Sequence, residues 1–164
     1  MPIDIRVLVE THFAFIARSV RRLGVPETDV EDAAQQVFLI AAQKLDRVVT
    51  GNEKAFLLGI AVRVASEARR SLRRRTARET AAAGTSEAVS TTPEEIARAR
   101  QARALLDEIL DGMPDDLRPV FTLFELEEMT MVEIATLLGI PSGSVASRLR
   151  RAREIFHAEA AKRR

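Results

Sequence analysis

The sequence predicts an all-α protein built as two small helical domains, and three observations carry that prediction. Hydrophobic residues make up 46% of the 164 residues but aromatics only 4%, with no Trp and no Tyr, and Ala, Arg, Leu and Glu dominate, a helix-forming composition. Apolar residues recur at helical spacing in both halves of the chain. Between the halves, residues 79–92 (ETAAAGTSEAVSTT) carry small and polar side chains with no bulky apolar period, too little apolar surface to offset ordering entropy, and read as a flexible linker. The expected organisation is a first domain over 1–78, the linker over 79–92 and a second domain over 93–164. Each domain lies near the lower size limit for a self-sufficient core, which points to modules that work with partners.

In the first domain, Leu8, Phe15, Ile16, Val20 and Leu23 define a helix that Gly24 and Pro26 end. A second helix is expected from Thr28 to about Leu45. Thr28 and Glu31 match a capping box, and Val30, Ala33, Ala34, Val37, Phe38 and Ala41 form its apolar face. Thr50-Gly51-Asn52 is a turn signal, after which a third helix runs from about Lys54 with Phe56, Leu57, Ile60, Val64 and Leu72 as its buried stripe.

In the second domain, Thr92-Pro93-Glu94-Glu95 orders a cap, a first-turn proline and a capping-box Glu. That helix continues through Leu105, Leu106, Ile109 and Leu110 to Gly112. Another is expected over about 115–128, where Pro119 removes a ladder hydrogen bond unless it lies in the first turn.

Net charge is only +1, but the charges are segregated. From Arg63 to Arg78 seven Arg face one acid, Glu67, and from Arg148 to Arg164 Arg and Lys outnumber Glu154 and Glu159. Between these basic blocks, residues 107–133 hold nine acids against Arg118 alone, a stretch that repels DNA and suits a basic protein surface. The absence of Cys excludes disulfides and thiolate metal sites. The N-terminal MPIDIRVLVETHF mixes acids with apolar residues, and no apolar run reaches the roughly 18 residues that span a bilayer, so a soluble, cytoplasmic chain is expected. His12 and His157 are isolated, no catalytic or phosphate-loop motif is present, and Met113, Met129 and Met131 read as packing residues. Catalysis, a metal and a cofactor are therefore not expected.

The strongest local signal is TMVEIATLLGIPSGSVASRLRRARE, residues 130–154. Thr130 and Glu133 form a capping box, Ile134, Ala135, Leu137 and Leu138 give a short helix, Gly139 ends it, and Pro141 follows. Ser142 is placed to cap a second helix in which Val145 and Leu149 face inward. Ser144, Ser147, Arg148, Arg150 and Arg151 then spread over its outer surface. The pattern is a helix-turn-helix whose second helix can enter the major groove with flanking Arg on phosphates, and small Ala135 with left-handed Gly139 permits the close crossing.

These residues support a resemblance to a known family. Residues 115–154 are similar to region four of the extracytoplasmic-function (group 4) sigma factors of the sigma-70 family. The resemblance implies that Ser142, Ser144, Val145, Ser147, Arg148, Arg150 and Arg151 read the minus-thirty-five promoter element. Ser144 stands where the family commonly has Thr, and Ala146 where it has Lys. Asp29-Val30-Glu31-Asp32-Ala33-Ala34-Gln35-Gln36-Val37-Phe38 resembles the region-two segment that docks on the polymerase clamp. It implies Asp29, Glu31, Asp32, Gln35, Gln36 and Phe38 as polymerase contacts, with Gln36 in place of the usual Glu. FLLGIAVRVASEARRSLRRR, residues 56–75, resembles the helix following the minus-ten loop. Asn52, Lys54, Phe56, Arg63, Arg69, Arg70 and Arg73 are the implied contacts, with Phe56 for Trp, Val62-Arg63 for Arg-Asn and Glu67 for Asp.

The implied function is a sigma factor that binds core RNA polymerase at clamp and flap and directs it to promoter DNA, with an anti-sigma protein as a further partner. A stand-alone helix-turn-helix regulator, and a sigma-like adaptor without promoter opening, are the alternatives. The acidic second helix separates a sigma factor from a stand-alone regulator, which has no use for a polymerase-docking face.

Overall fold

The computed structural model describes residues 2–78 and 93–164, and every regular element among them is helical. The linker read over residues 79–92, including the Thr92 cap, lies outside the described residues. Helices α1 (Ile5–Arg22), α2 (Val30–Ala42) and α3 (Glu53–Arg78) pack against one another in pairs. They enclose one core that includes Leu8, Ile16, Val20, Val37, Phe38, Leu57 and Val64. Asp4 caps α1 by accepting the Arg6 N–H at 2.9 Å. The helix leaves through Gly24, whose φ of +116° is a conformation side chains rarely adopt.

The capping box expected at Thr28 and Glu31 does not form. Pro26, with φ −56°, leads straight into a 3-10 turn over Glu27–Asp29, in which the Asp29 N–H donates to the Pro26 carbonyl at 2.9 Å. Asp29 then takes the N-cap position of α2 with already helical dihedrals and no side-chain bond, so no extended residue remains for Thr28 to serve as cap. At its far end α2 stops at Ala42 rather than Leu45, because a second 3-10 turn, Leu45–Arg47, intervenes.

The 26 residues of α3 rise about 39 Å, twice the length of α2, so its last turns overhang the core. Leu72 lies on that overhang and is exposed, not part of the buried stripe.

The second module comprises α4 (Glu94–Asp111), α5 (Arg118–Phe121), a π-turn (Thr122–Leu126), α6 (Met131–Leu138) and α7 (Ser142–Lys162). Pro93 immediately precedes α4 rather than lying inside its first turn. The strain that a helix over 115–128 imposes on Pro119 does not arise. Residues 114–117 instead form a turn closed by the Leu117 N–H on the Pro114 carbonyl at 3.0 Å, and α5 begins at Arg118 with Pro119 in its first turn, where no donor is needed. Two apolar clusters hold the module. Leu110, Met113, Leu117, Phe121 and Ala152 form one, extended by Phe156 stacked on Phe121 at 4.9 Å. Val120, Leu123, Met129, Ile134, Val145 and Leu149 form the other, to which α3 contributes the buried side chain of Leu58, flanked by Phe15 and Val62.

The two modules therefore share a core, and a polar seam runs beside it. Arg118, only 5% exposed, donates from Nε to the Arg22 carbonyl at 2.6 Å and from Nη2 to the Arg21 carbonyl at 3.1 Å, capping the C-terminus of α1 from the other module. The Arg118 Nη2 also lies 3.2 Å from Asp111, which pairs end-on with Arg21 through two bonds of 3.0 and 3.1 Å. Burial pushes the Arg118 guanidinium down to about 10, so it stays charged at neutral pH. Burial opposes ionisation of Asp111, but Arg21 and Arg118 outweigh it and hold the carboxyl below its usual range.

Candidate nucleic-acid interface

The helix-turn-helix forms as its punctuation predicts. Thr130 accepts the Glu133 N–H at 3.2 Å while Glu133 accepts the Thr130 N–H at 2.8 Å, completing the capping box. The Thr130 backbone N–H first, and then the Thr130 side chain, hold the Glu133 carboxyl below its ordinary value. Gly139, with φ +66°, closes α6 in the left-handed conformation. Ser142 does not cap α7. Pro141 occupies the N-cap position and its carbonyl accepts the N–H groups of Ser144 and Val145, which leaves Ser142 as the first helical residue, exposed and open to a partner.

Along α7, Ser147, Arg150 and Arg151 are exposed and Ser144 and Arg148 half-buried, all on the outer surface. Val145 departs from the expected set. It is fully buried beside Ile134 and Leu149, so it anchors the helix and cannot touch a base edge. A further cation on α7, Arg153, was not singled out by the motif; it pairs with Glu125 and its guanidinium lies 5.2 Å from the Phe124 ring centre, which fixes α7 against the turn before α6.

On α2 and its N-cap, Asp29, Glu31, Asp32, Gln35 and Gln36 are all exposed, forming one polar face. Phe38 is not part of it. At 5% exposure, stacked with Phe13 at 5.9 Å, it belongs to the core. Leu39, three and four residues beyond Gln36 and Gln35, stands 62% exposed beside that face as an uncovered apolar side chain. The signal for it was its phase, one residue off the apolar stripe.

The third expected group splits. Asn52, Lys54, Arg63 and Arg70 are exposed and Phe56 half-buried; Lys54 lies 5.0 Å above the Phe15 ring. Asn52, Phe56 and Arg63 line a groove of about 540 Å³ whose opposite wall is α6, with Val132, Thr136 and Leu137. Arg69 and Arg73 turn instead toward Asp115 of the second module, Arg69 at 3.3 Å.

Residues 8–75 match the sigma-70 region 2 family and residues 103–155 match sigma-70 region 4. The ECF RNA polymerase sigma-E factor of Escherichia coli K12 is 32% identical over 143 residues, 79% of this chain and 73% of that protein. The chain belongs to the extracytoplasmic-function sigma factors of the sigma-70 family. As such it is a transcription factor that directs RNA polymerase to promoters. Its fold is similar to CnrH, solved in complex with the cytosolic domain of CnrY, with a TM-score of 0.67 at 25% identity over 96% of this chain and 88% of that one. It is also similar to the sigma factor RpoE of Bartonella quintana, solved with the anti-sigma factor NepR, with a TM-score of 0.67 at 19% identity over 98% and 99% of the two chains. Among the described residues of this sigma factor no helix is long and apolar enough to cross a membrane, and no cluster of His, Cys, Asp and Glu suits a metal ion.

Proposed function

We propose that the sigma factor divides its work between two faces: α2 binds core RNA polymerase, and α7 with α3 binds the promoter. The observation that carries this reading is the contrast between two uncovered surfaces. The outer side of α7 presents Ser142, Ser147, Arg150 and Arg151 behind a properly capped turn, while α2 presents Asp29, Glu31, Asp32, Gln35 and Gln36. A basic helix following a tight turn suits the major groove of the minus-thirty-five element, with Ser144 and Arg148 toward base edges and Arg150 and Arg151 on phosphates. An acidic, amide-bearing face with Leu39 at its edge suits a basic partner helix. Asn52, Lys54, Phe56, Arg63 and Arg70 are placed to hold the displaced minus-ten strand, Phe56 by stacking and the cations by backbone charge. The domains run over 1–78 and 93–164. The reading places the chain in the cytoplasm as a non-catalytic subunit, serving a stress response, with an anti-sigma factor of the kind that NepR is for RpoE as its inhibitor.

The test is reconstitution with core RNA polymerase, scoring co-elution and run-off transcripts from genomic DNA. Arg148→Ala is expected to lower transcription from minus-thirty-five-dependent promoters while sparing co-elution, and Asp32→Arg to abolish co-elution. Equal loss of co-elution in both variants would remove the division of labour.

A further inference from the structure

Arg69, Arg70 and Arg73 crowd two successive turns of α3. Arg69 is mostly covered, with 11% of its side chain exposed, its stem against Gly24 and its Nε buried without a partner. Loss of water first, then the neighbouring Arg73 and Arg70, holds its guanidinium below its ordinary value. Among the described residues one carboxylate answers this charge. Asp115, in the turn before α5, places Oδ1 3.3 Å from Arg69 Nη1 and Oδ2 against Arg73 Nη2.

We propose that Asp115 stands in for a DNA phosphate: it occupies the position between Arg69 and Arg73 that a strand's backbone phosphate takes, so that module closure and strand binding by α3 exclude one another. The inference rests on the reading that the α3 arginines hold the promoter strand. Two guanidiniums converging on one oxyanion is the geometry by which arginines take phosphate. The acid comes from the other module, so its withdrawal accompanies opening. Asp115 is 45% exposed, and ion pairs this wet are weak enough for a polyanion to displace. Asp111, four residues earlier, extends the same edge to Arg21, which makes the acid-rich stretch 107–133 a lining for the basic edge of the chain's own first module. Asp116, adjacent and exposed, makes no ion pair among the described residues, so it offers a control of equal charge.

The experiment titrates the full chain into a fluorescein-labelled oligothymidylate strand across a range of NaCl concentrations. Asp115→Asn is compared with Asp116→Asn, and spin labels on Glu10→Cys and Glu154→Cys report the spacing of the modules. Asp115→Asn is expected to bind about fivefold tighter, from two surface pairs released, while Asp116→Asn behaves as wild type. The plot of log affinity against log salt should steepen by about 0.7, the contribution of the one phosphate that replaces Asp115. Arg73→Ala in the Asp115→Asn background should remove about half of that gain. Equal affinity and slope in the two Asn variants would overturn the proposal. So would a label separation that grows in Asp115→Asn without tighter binding, since the acid would then hold the modules together without standing where DNA goes. Failure of the underlying reading shows elsewhere, as absence of run-off transcripts when the wild-type chain is added to core RNA polymerase.

Discussion

The first module closes its core with its own side chains, whereas the second completes one of its two clusters with a residue borrowed from α3. Three helices of 18, 13 and 26 residues suffice to bury Ile16, Val20, Val37 and Leu57 among themselves. The second module distributes its apolar residues over short elements, a four-residue α5, a π-turn and an eight-residue α6, and its larger cluster includes Leu58. Helices this short hold little intrinsic stability and depend on packing. Region four is thus the more dependent partner while the modules are closed, and its polar anchor, Arg118, is itself a buried charge.

Four perturbations break or sharpen that contrast, in descending order of effect. Arg118→Ala removes the cap of α1 and leaves Asp111 and two carbonyls short of a partner, an expected loss of about 3 kcal/mol in denaturant unfolding, accompanied by separation of the melting transitions of the two modules. A single unshifted transition would show that closure contributes nothing to stability. Leu58→Ala, which empties a fully buried site, should cost about 2 kcal/mol or more. Hydrogen exchange should rise in α6 and α7 and not in α2; faster exchange in α2 would place Leu58 in the wrong core. Thr130→Ala breaks the capping box and should cost about 1 kcal/mol, read as faster exchange confined to α6.

The smallest effect concerns Glu127, whose side chain is 5% exposed and accepts from the Ser19 hydroxyl at 3.1 Å with Arg22 at 3.7 Å. Burial raises its carboxyl above the ordinary 4.5, and Ser19 and Arg22 only partly offset this. A raised folded-state value means that its contribution is fully present below about 4.5 and is lost as pH rises through the folded value. Glu127→Gln keeps a hydrogen-bonding group for Ser19 and should flatten that slope, gaining under about 1 kcal/mol at pH 7 relative to its behaviour at acid pH. Parallel unfolding curves for both proteins at the two pH values would contradict the sign.

Much of this was legible in the sequence where the physics is local. The Thr130–Glu133 box, the Gly139 exit, the Gly24 exit and the inward phase of Val145 and Leu149 depend only on near neighbours, and each forms. Thr28 failed as a cap because Pro26 dictates the entry to α2, a competition between two valid local signals. Val145 and Phe38 were assigned to partners by their place in a motif although their helical phase already put them inside. The closure of the modules was beyond local reading, since a pairing such as Arg69 with Asp115 joins residues in different domains. One trace of it was present nonetheless: Arg118 is the lone cation among nine acids in residues 107–133, the kind of exception that marks a specific partner.

The junction at Gly24 has a consequence for what a mutational scan of this gene would tolerate. Its φ of +116° lies outside the range that even Asn accepts readily, and any β-carbon would run into the Arg69 stem, so two unrelated filters act on one codon. At Gly139, with φ +66° and open space around it, only the first filter applies. Asparagine should therefore survive selection at residue 139 and be depleted at residue 24, along with every other replacement of that glycine.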